Sequence, residues 1–176
     1  YPEGDVRLRD HLYLNDGRGK WVKAANAIPD IRVNKTCVAA GDLDRDGDED
    51  LFMGTYSQPG YFGQSQSSIL LLNDGLGHFT RAGEKMMDLK NTGFVTAAEM
   101  IDFDGDQTTE LLVAGEWMPL IIYSKKGDGY EAKKLDGNGL WQGLYVTDVN
   151  DDGYMDILAG NWGDNSKLKA SADRPL

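Results

Sequence analysis

The sequence contains the same short unit three times, a nine-residue acidic segment followed directly by an apolar run. The three copies occupy residues 42–50, 102–110 and 148–156. The first and third carry glycine at the sixth position, whereas the second carries glycine at the fourth and glutamate at the ninth. A unit that recurs every 46 to 60 residues, as this one does, indicates stacked repeats, because one copy cannot bury both of its faces alone.

A second motif alternates with the first. Leucine, asparagine, aspartate and glycine, followed four residues later by an aromatic side chain, occur at 14–21 and 72–79, with a degenerate copy at 126–130. An Asn-Asp-Gly step between apolar runs favours a tight hairpin, because glycine supplies the positive φ that such turns need. We interpret these segments as turns.

Each unit then has the order strand, acidic loop, strand, connection, strand, hairpin, strand. Four antiparallel strands per unit make a propeller blade. The sequence therefore predicts an all-β chain, with residues 1–176 forming one β-propeller segment of about three blades' worth, a partial ring. The predicted parts are a half blade at 10–26, whole blades at 36–83 and 94–134, and a half blade at 143–160.

The acidic segments place oxygen-bearing side chains at positions one, three, five and nine, and the seventh residue can offer its carbonyl. Ca²⁺ takes 6 to 8 oxygen ligands, so each segment can wrap one ion. The predicted ligands are Asp42, Asp44, Asp46, Asp48 and Asp50 in the first loop, Asp102, Asp104, Asp106, Thr108 and Glu110 in the second, and Asp148, Asn150, Asp152, Tyr154 and Asp156 in the third. We expect two or three calcium ions, with the second loop weakest because it lacks the sixth-position glycine.

Two alternatives bear on these loops. Solvated aspartate-rich turns would carry the same residues without an ion, but three copies in phase favour a metal. An EF-hand would need an acid at the twelfth position and flanking helices. Met53, Val113 and Ala159 occupy that position inside β-like runs, which argues against a helical calcium module.

Charge and composition exclude several classes of protein. The formal net charge is −11 and the lysines and arginines form no cluster, which argues against a nucleic-acid partner. No apolar run approaches the roughly 18 residues that cross a bilayer, so we expect no membrane insertion. The single cysteine, Cys37, excludes an internal disulfide and is expected to be a small buried side chain. Calcium loops of this kind favour an extracellular, cell-surface or periplasmic location, with any export signal upstream or removed.

With these motifs, the chain resembles the FG-GAP/VCBS repeat family, whose calcium-loop blades also build integrin α-subunit propellers. The segments 115–119 and 160–171 further resemble secreted bacterial VCBS-repeat proteins of the ASPIC/UnbV group, which includes cartilage acidic protein. The resemblance implies a ring of about seven blades, of which this chain covers a part. The sequence itself shows no ASPIC/UnbV region.

The connections after each second strand are expected at the end of the blades opposite the acidic loops. Three features fall there: the segment 56–68, the pair Glu116 and Trp117, and the pair Asn161 and Trp162. In integrin-like propellers this face meets ligands, so we predict a binding and adhesion module for a protein or glycan, with calcium in a structural role. Packing between blades is the alternative for the two tryptophans, and 56–68 could equally be a mobile insertion.

No catalytic residue is identified, since His11 and His78 are far apart and no nucleophile motif is present. The alternative function is a polysaccharide-acting hydrolase or lyase that uses the same face, with Glu116 as one carboxylate. The open strand edges at both ends are expected to meet the remaining propeller blades or another copy of the chain.

Overall fold

A computed structural model of the chain describes residues 2–61 and 63–163. Short antiparallel strands dominate these residues, and the one helical element among them is a 3₁₀ turn at Val6–Leu8. The all-β prediction is confirmed. The strands are β1 (Tyr13–Asn15), β2 (Trp21–Lys23), β3 (Lys35–Gly41), β4 (Asp50–Thr55), β5 (Ile69–Asn73), β6 (Phe79–Arg81), β7 (Phe94–Ile101), β8 (Glu110–Met118), β9 (Ile121–Lys126), β10 (Gly129–Lys134), β11 (Gly139–Thr147) and β12 (Asp156–Asn161).

The strands pair with their neighbours in chain order. β1 and β2 form a separate two-stranded sheet, and β3 to β6 form a four-stranded antiparallel sheet. β7 to β10 repeat that arrangement, since β8 pairs with β7 and β9, and β9 pairs with β10. β11 and β12 pair along most of their length. β11 also pairs with the end of β8 at Gly139 and Leu140, which links the β11–β12 hairpin to β7–β10 at that corner.

The second strand of each four-stranded sheet is buried on both faces, which explains its unbroken apolar sequence. Successive side chains of a strand point to opposite faces. In β8, Leu111 and Val113 therefore join one core with Phe52 of β4, whereas Leu112 and Ala114 join another with β11 and β12. The sheets consequently stack face to face through two shared cores.

Glycine allows the sheets to approach closely. A Cβ added to Gly54 would lie 2.5 Å from Val95 Cγ1 and 2.5 Å from Cys37 Sγ. Cys37 is half-buried and packs against the core between the two sheets, and burial raises the pKa of its thiol. The predicted packing role for this cysteine agrees with its position.

The first and last sheets expose large apolar side chains. Tyr13 and Trp21 of the β1–β2 hairpin are more than half exposed, as is Tyr145 of β11, and Leu158 of β12 is nearly so. An isolated two-stranded hairpin is only marginally stable in water. Both ends of the stack therefore present surfaces suited to further packing.

Within residues 2–61 and 63–163, the structure contains no helix with the length and apolar character that crossing a membrane would require.

Candidate metal centres

Each acidic segment connects the first two strands of a sheet. Residues 42–50 connect β3 to β4, residues 102–110 connect β7 to β8, and residues 148–156 connect β11 to β12. The segments run between strands that pair antiparallel, so each one folds as a compact loop at the end of a hairpin.

The three loops share one hydrogen-bond network. In each loop the backbone N–H of the second residue donates to the carboxylate of the ninth, and the N–H of the sixth donates to the carboxylate of the first. The first contact joins Leu43 to Asp50 at 3.0 Å, Phe103 to Glu110 at 2.9 Å and Val149 to Asp156 at 3.0 Å. The second joins Gly47 to Asp42 at 3.1 Å, Gln107 to Asp102 at 2.9 Å and Gly153 to Asp148 at 2.7 Å. The loop backbone therefore fixes its own carboxylates in place.

The loops also share two left-handed residues, at the fourth and sixth positions. The φ angles are 68° at Arg45 and 95° at Gly47, 77° at Gly105 and 67° at Gln107, and 59° at Asp151 and 88° at Gly153. Each loop therefore holds one glycine and one other residue in a conformation that favours glycine. In the second loop the glycine has moved from one of these positions to the other. The second loop was expected to be the weakest because it lacks the sixth-position glycine. Its backbone strain is no greater than that of the other two loops, since each has one residue other than glycine with a positive φ.

Two loops bring three carboxylates together. One oxygen from each of Asp42, Asp44 and Asp50 lies within 4.8 Å of the others, and the same holds for Asp102, Asp104 and Glu110. In the third loop Asn150 replaces the third-position carboxylate, and its amide donates to Asp152 at 3.0 Å. Among the described residues only the first two loops form such a trio. These two could hold a metal ion.

The fifth-position aspartates lie outside both trios. Asp46 and Asp106 accept hydrogen bonds from the N–H groups of Asp48 and Thr108, at 3.0 Å and 2.7 Å. Asp152 accepts the N–H of Tyr154 at 2.9 Å. In each loop, the seventh residue, whose carbonyl is the predicted ligand, therefore donates its backbone N–H to the carboxylate of the fifth residue.

The ninth-position carboxylate of each trio is buried, which makes the trio costly to charge. Desolvation raises the pKa of Asp50 and of Glu110, and in Glu110 the neighbouring aspartates of its loop add to the effect. The pKa of Asp44 is also raised, first by desolvation and then by the charge of Asp46. A cation would relieve both penalties, because an opposite charge favours the ionised carboxylate.

Sequence reasoning missed one partner of the first loop. The backbone N–H of Asn73 donates to Asp50 Oδ1 at 3.0 Å, and its side-chain amide donates to the carbonyl of Glu49 at 3.2 Å. Asn73 is the second residue of the turn motif at 72–79, and the pairing of β5 with β6 confirms that this motif is a hairpin. Asn73 reaches the acidic loop because β5 lies beside β4. The predicted pairing of these two strands was the sequence signal that could have identified the contact.

A second missed residue is Tyr130, whose hydroxyl lies 2.9 Å from the carbonyl oxygen of Leu43 and 2.9 Å from that of Thr109. These carbonyls belong to two different acidic loops. Burial raises its pKa to about 12, with Glu110 and Asp50 contributing. The sequence shows Tyr130 only as an aromatic residue after a turn, and that pattern does not indicate a contact with either loop.

Glu116 and Trp117 lie at the far end of β8 from the acidic loop. Glu116 accepts hydrogen bonds from the hydroxyl of Tyr56 and, at 2.9 Å, from the amide of Gln142. Trp117 has a φ of 55°, is half-buried and meets the ring of Phe94 edge-on with centroids 5.7 Å apart. Its indole nitrogen is buried without a hydrogen-bond partner among the described residues.

The Phe94 ring also contacts Tyr56, at 5.3 Å between centroids. Tyr56, Phe94, Glu116, Trp117 and Gln142, here called the aromatic cluster, therefore join the ends of four strands. The segment 56–68 begins at this cluster and folds back on itself, with Gln66 donating to the carbonyl of Tyr56 at 3.1 Å.

Asn161 and Trp162 lie on the other side of β11 from Glu116. Leu140 of β11 pairs with Glu116, and Trp141 pairs with Asn161. The Asn161 side chain accepts the N–H groups of Leu140 and Gly163 at 3.2 Å and 2.8 Å. Trp162 is 54% exposed, unlike Trp117, so the two tryptophans have different surroundings. Residues 164–171 of the segment that carried the bacterial resemblance lie outside the described residues.

Short antiparallel sheets that stack face to face, each with an acidic loop between its first two strands, define an all-β repeat protein. The sequence model of the FG-GAP-like repeat family matches residues 4–53 and 102–159. The match covers more than half of the chain and includes all three acidic loops. The chain belongs to the FG-GAP-like repeat family. A comparison with curated proteins found no match.

Proposed function

We propose that the chain is a calcium-binding segment of a β-propeller, with about three blades' worth of a partial ring. The sheets β3–β6 and β7–β10 are its whole blades, and β1–β2 and β11–β12 are its half blades. Membership of the FG-GAP-like family supports a propeller-like module. The face-to-face stacking through shared cores supports the same arrangement.

Calcium is the ion that the donor set favours. The ligands available in each loop are carboxylate, amide and carbonyl oxygens, which suit hard cations, and the loops contain no histidine or cysteine for zinc. Mg²⁺ demands near-ideal octahedral geometry and retains several waters, whereas Ca²⁺ accepts many protein oxygens in flexible geometry. The observation that carries the proposal is the pair of carboxylate trios.

The role of calcium is structural. Ions bind the folded loop far better than the unfolded chain, so their binding free energy adds to the stability of the fold. The first two loops take an ion most readily. The third has one carboxylate fewer, so we place it last for affinity, which reverses the order expected from the glycine positions.

Recognition is proposed on the opposite face, for an extracellular protein or glycan. FG-GAP repeats are typical of extracellular proteins, which supports a secreted, cell-surface or periplasmic location. The aromatic cluster supports a binding role there, since it combines ring faces with the carboxylate of Glu116. Exposed Trp162 and the neighbouring Asn161 extend this surface across β11. We propose binding without catalysis, since Glu116 is held by two hydrogen-bond donors.

The two half blades are proposed to meet the remaining blades or another copy. Leu71 of β5 pairs with Leu51 of β4, and the turn motifs align Tyr13 with Leu71. Ile157 follows the third acidic loop as Leu51 follows the first. The same register would therefore pair a β1-type strand with β12 and place Tyr13 opposite Ile157. This pairing would occupy the open edge of β12 and join the separate β1–β2 hairpin to a larger sheet.

Glycan and protein arrays probed in millimolar calcium test the recognition surface. W162A is expected to melt like the parent and to lose binding, because its side chain is exposed. W117A is expected to lose stability, because its ring packs on Phe94, and W117F should restore most of it. Unchanged binding by W162A would count against this surface, and release of product from a bound glycan would refute the purely binding role.

A further inference from the structure

The turn motif places an aromatic residue at an equivalent position in three sheets. Trp21 and Phe79 are the last residues of the first two copies, and Tyr130 is the last residue of the degenerate third. Phe79 packs against the core on one side of the β3–β6 sheet, and Tyr130 packs against the core between that sheet and β7–β10. Of the three, Tyr130 alone carries a hydroxyl group, so packing does not account for the difference.

The Tyr130 hydroxyl bridges the two loops that gather carboxylate trios. It lies 2.9 Å from the carbonyl oxygen of Leu43, the second residue of loop 42–50, and 2.9 Å from that of Thr109, the eighth residue of loop 102–110. The hydroxyl has one proton, so it is shared between the two carbonyls. The half-buried ring fixes the position from which it donates.

Each bridged carbonyl is close in the chain to a contact or a residue of the ninth position. The amide of Leu43 donates to Asp50, and the carbonyl of Thr109 belongs to the peptide bond that leads into Glu110. A shift of either carboxylate as its loop closes on an ion therefore moves a partner of the same phenol.

We propose that Tyr130 is a positioning residue that couples ion binding in loops 42–50 and 102–110. The inference rests on the proposed function, because it requires that both loops bind calcium. An ion in either loop orders its carbonyl, fixes the phenol and prepares the other loop, so each ion raises the affinity for the other by the same factor. One neutral hydrogen bond accounts for a factor of about five.

Calorimetric titration with calcium tests the coupling. All proteins carry D152N to weaken the third loop, and the affinity of loop 42–50 is measured with loop 102–110 intact or disabled by D104N and D106N. With Tyr130 present, disabling the second loop is expected to weaken binding at the first about fivefold. In Y130F, which installs the residue found at position 79, the same change is expected to have less than a twofold effect.

Y123F is the matched control, because Tyr123 is buried in the same core while its hydroxyl interacts with Thr92. It should retain the fivefold effect. Equal weakening in the parent and in Y130F would overturn the proposal. Absence of calcium binding at both loops of the parent would instead refute the proposed function, and with it the coupling.

Amide hydrogen exchange provides a second test that does not depend on folding of Y130F. In the Tyr130 protein with loop 42–50 weakened by D44N, calcium bound to loop 102–110 is expected to slow exchange of the amides at 43–47. Unchanged exchange rates at those amides, with loop 102–110 saturated, would also overturn the proposal.

Discussion

Replacing Asp44 by asparagine separates a metal-binding loop from a solvated turn. Asp44 is exposed, and its carboxylate accepts one long hydrogen bond, from the N–H of Asp46 at 3.3 Å. Asparagine retains an oxygen that can accept this bond. The substitution therefore removes a charge from the trio while leaving the backbone contacts of the loop in place.

Without calcium, the variant is expected to be more stable than the parent. Asp44 lies within 4.8 Å of an oxygen of both Asp42 and Asp50. Two unit charges at that distance repel by about 1 kcal/mol even at the dielectric constant of water, which suits an exposed group. Removing one charge from two such pairs should raise the free energy of unfolding by about 1 to 2 kcal/mol.

With calcium, the variant is expected to lose this advantage, because the ion stabilises it less than it stabilises the parent. An ion at 100 times its Kd stabilises the folded protein by about 2.7 kcal/mol. Loss of one carboxylate about 4 Å from a doubly charged ion weakens binding by about 2 kcal/mol at the same high dielectric, or about 30-fold. At that fixed calcium concentration the variant should therefore gain only about 1 kcal/mol from the ion.

Urea unfolding in excess chelator and in saturating calcium measures both effects. D128N is the control, since Asp128 is an exposed turn residue outside the acidic loops. It should shift little in either condition. If D44N responds to calcium as the parent does, the carboxylate has no part in an ion site and the electrostatic account of the loop is wrong.

Three further substitutions test the packing and the third loop. G54A should cost about 1 to 3 kcal/mol in chemical denaturation, because its Cβ would lie 2.5 Å from Val95 Cγ1, whereas G83A, which meets no atom within 4 Å, should change stability little. F52A removes a fully buried side chain from the core between the sheets and should cost about 3 to 5 kcal/mol, and a loss below 1 kcal/mol would contradict that core. N150D completes a third carboxylate trio and should tighten calorimetric calcium binding at loop 148–156, so an unchanged isotherm would argue against the role given to position three.

The repeat carried most of what the sequence could predict. The all-β class follows from turn motifs that fix hairpins, as Gly75 and Gly77 do with positive φ between β5 and β6. The position of the acidic segments between paired strands also follows from the repeat, because each is flanked by apolar runs. Such local patterns are readable since the residues that make them are close in the chain.

Properties that depend on the conformation of a whole loop were not readable. The sequence showed a glycine missing from the sixth position of the second loop, whereas the structure shows a positive φ at the fourth position as well, occupied there by Gly105. The Tyr130 contact joins residues 87 positions apart, to Leu43, and no local pattern encodes it. The positive φ of Trp117 likewise arises from its place at the end of β8.

The central claim is that the carboxylate trios hold calcium, and a crystal grown in millimolar calcium tests it most directly. Anomalous difference density is predicted inside loops 42–50 and 102–110, with 6 to 8 oxygens about 2.3 to 2.6 Å from each peak, including Asp50 and Glu110. Density for water alone among those carboxylates, at saturating calcium, would contradict the claim.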